Sequence, residues 1–359
     1  MSSFDRLVRR ALYRGLFPAV FPRPRRVPFA DMRRLLVFRC DAIGDMILTT
    51  PMLHALHRRN PRLKIWVAAS DRNAGVIAHD PAVDRVVILE ENGNIRRGAI
   101  GELRSHAFQA VFQCVTNSAT KYGALARYIA PHAITAALVH AERPEYAGLF
   151  SDLVDVPDMY ARPFSEIMME FPRQVFGLPI PDEECIPEII VEPAAERAAE
   201  AFFVSAGIAR RTAILVNLSA GQERKRWPGD RYAALLRMLA AAHLPVVLSA
   251  VGDDRVLAES LMREVPAVLF PTANIRQLTA AVERCAMVVT PDTSVVHVAA
   301  ATGTAVVGLY AEARSVVQQW LPYRVPYRAV RTEEYSVAPI TADQVFDAVR
   351  SLRQSISIS

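Results

Sequence analysis

No uninterrupted apolar run in the 359 residues approaches the roughly 20 needed to cross a bilayer, and the N-terminus lacks the charge-free apolar core of a signal peptide. A soluble or peripheral protein is expected. Cysteine is scarce: Cys40, Cys114, Cys185 and Cys285 stand singly, without CxxC spacing or a Cys/His cluster. Neither a zinc site nor a disulfide framework follows, and a reducing cytoplasm fits best. No GxGxxG follows a predicted strand, which weakens a nicotinamide-dependent dehydrogenase, and no GxxxxGK[ST] is present for a P-loop NTPase. A GxSxG elbow is absent, against an α/β-hydrolase. So are DxD and any group of histidines and carboxylates for a catalytic metal. No metal or cofactor is expected.

Net basic charge is missing from most of the chain. The net charge is +5, yet residues 1–34 hold nine arginines against Asp5 and Asp31, a balance of +7 that leaves −2 for the remainder. A general nucleic-acid surface on the globular body is therefore not expected. Within the arm, Phe4, Leu7, Val8 and Ala11 share one helical face and Arg6, Arg9, Arg10 and Arg14 the other. Such a helix suits an anionic membrane surface, here through residues 1–26; it equally suits packing on the body with a solvated arginine face.

Hydrophobic residues make up 52% of the chain, enough at this length for two cores. After an arm over residues 1–33, apolar strands Arg34–Cys40, Leu63–Ala69, Asp84–Leu89, Ala110–Val115 and Ala133–Val139 alternate with segments that can be helical. The span His140–Pro193 is proline-rich with a helix-like middle and reads as the connection between domains. Residues 34–188 form the first domain. Strand and helix alternate again over 189–359, so both halves are α/β with parallel sheets, and a cleft between two Rossmann-like domains is the expected site.

The second half centres on residues 285–310. The sequence there predicts a buried strand (Ala286–Thr290), a polar turn, a short helix from Ser294 to about Thr302, a Gly303 cap and a second buried strand (Ala305–Tyr310). Asp292 and Thr293 can cap the helix, whose free N–H groups and dipole suit a phosphate, and His297 lies one turn further in. Lys225, on a loop after the strand ending at Ser219, can add an ammonium. In the first half, Gly44 permits a tight strand-to-helix turn. Asp45 is there either a helix cap or a general base, with Asp41 as a second carboxylate and Arg39 as a positive charge toward an anionic substrate.

Three segments, DAIGDMILTTPML, NLSAGQERKRWPGDRYAAL and PDTSVVHVAAATGTAVVGLY, fall on three predicted strand-to-helix turns between residues 41 and 310. Together they resemble glycosyltransferase family 9, the ADP-heptose lipopolysaccharide heptosyltransferases. The resemblance implies a GT-B fold, an acceptor held by the first domain and a nucleotide-sugar donor, ADP-heptose foremost, held by the second. It further implies metal-independent inverting transfer to a lipopolysaccharide core or similar lipid-linked glycan at the cytoplasmic membrane face. Asp45 then matches the catalytic aspartate, Lys225 the phosphate-contacting lysine, and Asp292, Thr293, Ser294 and His297 the donor turn. The chain departs from the family pattern at Ser294, often glycine, at Ala311-Glu312-Ala313, often glycine and proline, and at Asn117, often basic. A nucleotide-sugar epimerase and a non-catalytic nucleotide-sugar-binding protein of envelope assembly are the competing readings.

Overall fold

Leu35 to Phe38 form a strand with no exposed side chain, because helices cover both faces of the sheet it belongs to. The computed structural model describes residues 22–115, 119–140, 146, 148–311 and 315–357. The predicted amphipathic arm up to residue 21, together with Asn117, Glu312 and Ala313, lies outside the described residues. The chain divides between Cys185 and Ile186 into two compact units.

The first unit contains β1 (Arg34–Arg39), α1 (Ile43–Ile47), α2 (Thr50–Arg59), β2 (Lys64–Ser70), β3 (Arg85–Glu91), β4 (Asn94–Ile95), α3 (Arg97–Arg104), β5 (Ala110–Gln113), α4 (Ala119–Ile129), β6 (Ile134–Val139), β7 (Asp152–Asp155) and α5 (Phe164–Phe176). Its sheet runs β4-β3-β2-β1-β5-β6-β7, parallel except for the β3–β4 hairpin. Leaving that hairpin aside, this is the Rossmann order 3-2-1-4-5-6, whose switch point lies between β1 and β5. Side chains from Leu36, Phe38 and Cys40 enter one core with Trp66, Leu89, Tyr122 and Ala126.

Two expectations change here. The span after β6 is not a connection between domains: β7 pairs parallel with β6, and α5 packs on both β6 and β7. Edge position explains why β7 escapes a sequence reading, since only Val154 of Asp152–Asp155 is buried. The helical segment that follows the predicted turn at Gly44 is split in two, α1 and α2. Pro51, in the first turn of α2, has no N–H for the carbonyl of Ile47, and the Thr50 hydroxyl donates to it instead at 2.8 Å.

The segment entering β1 is fastened to the unit. The Asn60 amide donates to the carbonyls of Phe29 and Met32 at 2.8 and 3.0 Å, and Arg26 pairs with Asp152 at 2.9 Å. At the other end, Glu184 accepts from Arg59 (2.6 Å) and Arg58 (2.6 Å), and these bonds, Arg59's first, hold its carboxyl down to about 2. A depressed carboxyl stabilises the fold above its unfolded value near 4.5, and that stability is lost as pH falls toward 2. Glu184→Gln is expected to cost about 1 kcal/mol at pH 7. Thermal unfolding at stepped pH should show the gap to wild type closing between pH 4.5 and 2; a gap independent of pH contradicts the assignment.

The second unit contains α6 (Pro193–Ser205), β8 (Ile214–Asn217), α7 (Gly229–Ala241), β9 (Val246–Ser249), α8 (Asp254–Glu264), β10 (Val268–Leu269), α9 (Ile275–Glu283), β11 (Met287–Pro291), α10 (Ser294–Ala301), β12 (Ala305–Ala311), β13 (Tyr327–Thr332) and α11 (Ala342–Ser357). The sheet order β10-β9-β8-β11-β12-β13 is again 3-2-1-4-5-6, all parallel, with its switch point between β8 and β11. One face buries Ile214, Val216 and Leu248 against Leu235, Leu236, Val345 and Val349 of α7 and α11. The other receives α10, closed by Gly303 in the left-handed region (φ 67°) as the sequence predicts. Among the described residues no helix is long and apolar enough to cross a membrane.

Candidate functional site

In an open parallel sheet, ligands meet the chain at the carboxyl ends of the strands beside the switch point, and the expected residues lie at such a place in each unit. In the second unit β8 ends in Asn217 and β11 in Thr290 and Pro291. The Asn217 amide donates to the Thr290 hydroxyl at 3.0 Å and to the carbonyl of Ser219 at 2.9 Å, tying the two strand ends together. Sequence reasoning missed Asn217; its signal is a buried amide closing an otherwise aliphatic strand, ILVN.

Thr293 is the N-cap of α10: its hydroxyl accepts the N–H of Val295 at 3.3 Å, while its carbonyl accepts that of Val296 at 3.1 Å. Lys225 closes a short helical turn, Glu223–Lys225, and its Nζ lies 2.6 Å from Oδ2 of Asp292. Both side chains remain about one-fifth exposed, at 20% and 23%. Trp227 anchors the loop by donating its indole N–H to the carbonyl of Ile340 at 2.8 Å. An ammonium, a capped helix N-terminus and the half-buried Ser294 thus share one rim.

Two predicted residues have other surroundings. His297 is 4% exposed, its ring 6.2 Å from that of Trp320, so it is buried in packing and not open at the rim. The Ser219 hydroxyl accepts the N–H of Val251 at 3.0 Å and so shapes the loop after β9. Behind the rim, Gly308 is required by contact. A Cβ there would meet the Tyr310 hydroxyl oxygen at 2.8 Å and ring carbon at 2.6 Å. Burial, with Asp292 the next cause, pushes the Tyr310 phenol well above its ordinary range.

In the first unit, Arg39 ends β1 and is fully buried. Its Nη2 lies 3.3 Å from Oδ1 of Asp45, its Nη1 3.2 Å from Oδ2 of Asp41, and its Nε donates to the Asp45 carbonyl at 3.1 Å. Nη1 also donates to the carbonyl of Cys114 beyond β5. The expectation that Arg39 offers its charge to a substrate is corrected: that charge is engaged internally. Asp45 is the third residue of α1, and its Oδ2 accepts the Ala42 N–H at 3.1 Å, so capping is part of its role. Its side chain is nevertheless 13% exposed. Gly44, inside the first turn of α1, has no left-handed backbone, so conformational freedom is not what it contributes. Burial pushes the thiols of Cys40 and Cys114 up to about 12, so both stay protonated near neutral pH. Among the described residues no three His, Cys, Asp or Glu side chains are placed to hold a metal ion.

Solved structures share this architecture. The chain is similar to a glycosyl transferase family 9 protein from Veillonella parvula, with 21% identity over 91% of this chain and 98% of that one and a TM-score of 0.74. Escherichia coli heptosyltransferase WaaC with ADP matches at 16% identity, 91% and 100% coverage and a TM-score of 0.70. E. coli ADP-heptose lps heptosyltransferase II matches at 22% identity, 90% and 99% coverage and a TM-score of 0.69. At these identities the likeness shows the fold, which is GT-B. No curated protein sequence matches the chain. The profile of glycosyltransferase family 9 (heptosyltransferase) matches residues 100–348, a segment with Lys225 and Asp292 inside it and Asp45 outside. With more than half its length matched, the chain belongs to glycosyltransferase family 9, the heptosyltransferases.

Proposed function

We propose that this glycosyltransferase moves heptose, or a closely related sugar, with inversion from an ADP-linked donor to a lipopolysaccharide core or similar lipid-linked glycan. The observation that carries the donor half is the rim of Lys225, Asp292 and Thr293 at the N-terminus of α10. When the sugar–phosphate bond breaks, the departing diphosphate gains negative charge. The Lys225 ammonium and the first-turn N–H of Ser294 would meet that charge as it develops. Asp292 keeps the ammonium at the turn before the donor arrives. ADP in one similar structure and an ADP-fluoroheptose in another support the choice of donor.

On the acceptor side Asp45 would take the proton of the attacking hydroxyl. The new bond forms from that oxygen to the anomeric carbon, the bond to the diphosphate breaks, and the configuration inverts. Residues 1–26 would hold the enzyme against an anionic membrane at the cytoplasmic face, where a lipid-linked acceptor resides. Arg26 contributes less than its neighbours, being paired with Asp152.

The test has two stages. Unfolding temperature is measured with ADP, UDP, GDP and ADP-heptose, and release of ADP from ADP-heptose is then followed with and without lipopolysaccharide core oligosaccharide. A ligand at a hundredfold excess over Kd adds about 2.7 kcal/mol to stability, a shift of several degrees, expected for ADP and ADP-heptose alone. Release should require the acceptor. Preference for UDP or GDP removes the donor assignment. ADP-heptose consumed without acceptor into an isomeric sugar nucleotide supports an epimerase, and binding without turnover supports the non-catalytic reading.

A further inference from the structure

We propose that Arg39 is a positioning residue for transfer: its buried guanidinium fixes the place and direction of the Asp45 carboxylate. This rests on Asp45 being the general base and goes beyond it by assigning the group that positions it.

A fully buried arginine is uncommon, and it persists where every direction of its fork has a partner. Arg39 has hydrogen-bond acceptors for Nε and Nη1 and, for Nη2, an ion-pair contact without a hydrogen bond. Nε donates to the Asp45 carbonyl at 3.1 Å, and Nη2 is paired electrostatically with the Asp45 carboxylate at 3.3 Å, so backbone and side chain of one residue face one cation. Nη1 bridges Asp41 and the carbonyl of Cys114. The guanidinium carbon lies 5.1 Å from the centroid of the Phe164 ring at the start of α5. The Asn73 amide, following β2, donates to the carbonyls of Arg39 and Asp41 at 3.0 and 3.2 Å. The segment after β5 and the start of α5 thus hold the cation, and Asn73 after β2 holds the backbone of the turn that carries it.

One guanidinium lies beside two carboxylates, each 13% exposed on its side chain. On the far side of Asp45 the carboxylate accepts the Ala42 N–H at 3.1 Å, so cation and helix start hold it between them. Removing Arg39 would leave the carboxylate free to turn about that one hydrogen bond.

Three variants test this, with ADP-heptose and lipopolysaccharide core oligosaccharide as substrates and with kcat and both KM values as readouts. Arg39→Gln is expected to lower kcat at least about tenfold and leave donor KM within about twofold. Arg39→Lys, which keeps the charge without the fork, should restore only part of kcat and covers the case in which Arg39→Gln does not fold. A folded Arg39→Gln or Arg39→Lys enzyme with wild-type kcat overturns the proposal. Asp45→Asn separates the two readings: if it retains full transfer, the base assignment fails and the positioning role with it. An inactive Asp45→Asn beside a wild-type-like Arg39→Gln removes the positioning role alone.

Discussion

Asp45→Asn is expected to lower transfer by about 10²- to 10⁴-fold while leaving ADP affinity within about twofold of wild type. Asparagine has the same shape, so its carbonyl oxygen can still accept the Ala42 N–H that Asp45 accepts at 3.1 Å, and α1 keeps its start. What disappears is the capacity to receive a proton from the attacking hydroxyl. The ion pair at 3.3 Å to Arg39 goes too, so the variant's unfolding temperature must be measured beside its rate. Donor affinity should survive, because Lys225, Asp292 and Thr293 belong to the other unit. A variant that transfers at close to the wild-type rate removes Asp45 from the mechanism and reduces it to a helix cap.

The second large effect concerns the donor. Lys225→Ala is expected to weaken ADP binding about 10- to 100-fold, the equivalent of the 1.5–3 kcal/mol assigned to a hydrogen bond with a charged group. Asp292 adds to the loss. With its partner gone, this carboxylate, 2.6 Å from Nζ in the intact protein, is a bare negative charge on the rim where a diphosphate must approach. Lys225→Ala combined with Asp292→Asn should therefore bind ADP more tightly than Lys225→Ala alone. Calorimetric titration of both variants checks this. Unchanged ADP affinity in Lys225→Ala, or no recovery in the double variant, contradicts the assignment of this rim to the diphosphate.

How far each element was readable depends on where its signal resides. Strands buried on both faces declare themselves locally: Leu35–Phe38 and Val306–Leu309 are runs of apolar side chains that no solvent-facing element would carry. The turn at Asp292 and Thr293 was equally legible, because a capping residue before the helix and Gly303 after it are both local features. β7 and β13 were not. Asp152–Asp155 and Tyr327–Thr332 carry charged side chains suited to sheet edges, and only pairing with β6 and β12 makes them strands. Arg39 was read outward for a related reason. Arginine is rarely buried, and two of the groups that bury this one, the Cys114 carbonyl and the Phe164 ring, lie 75 and more residues away in sequence. His297 has the same history: its spacing from Thr293 is correct for a shared helix face, but Trp320 comes from the far side of β12 in sequence and encloses it.

Among the described residues each sheet draws all its strands from one unit, and none crosses the junction at Cys185 and Ile186. Recombination there exchanges one whole half without breaking a hydrogen-bonded ladder in the other. Under the donor and acceptor assignments proposed above, the choice of sugar nucleotide and the choice of glycan would be separately heritable traits. A population meeting a new surface polysaccharide could then replace the first half and keep the second.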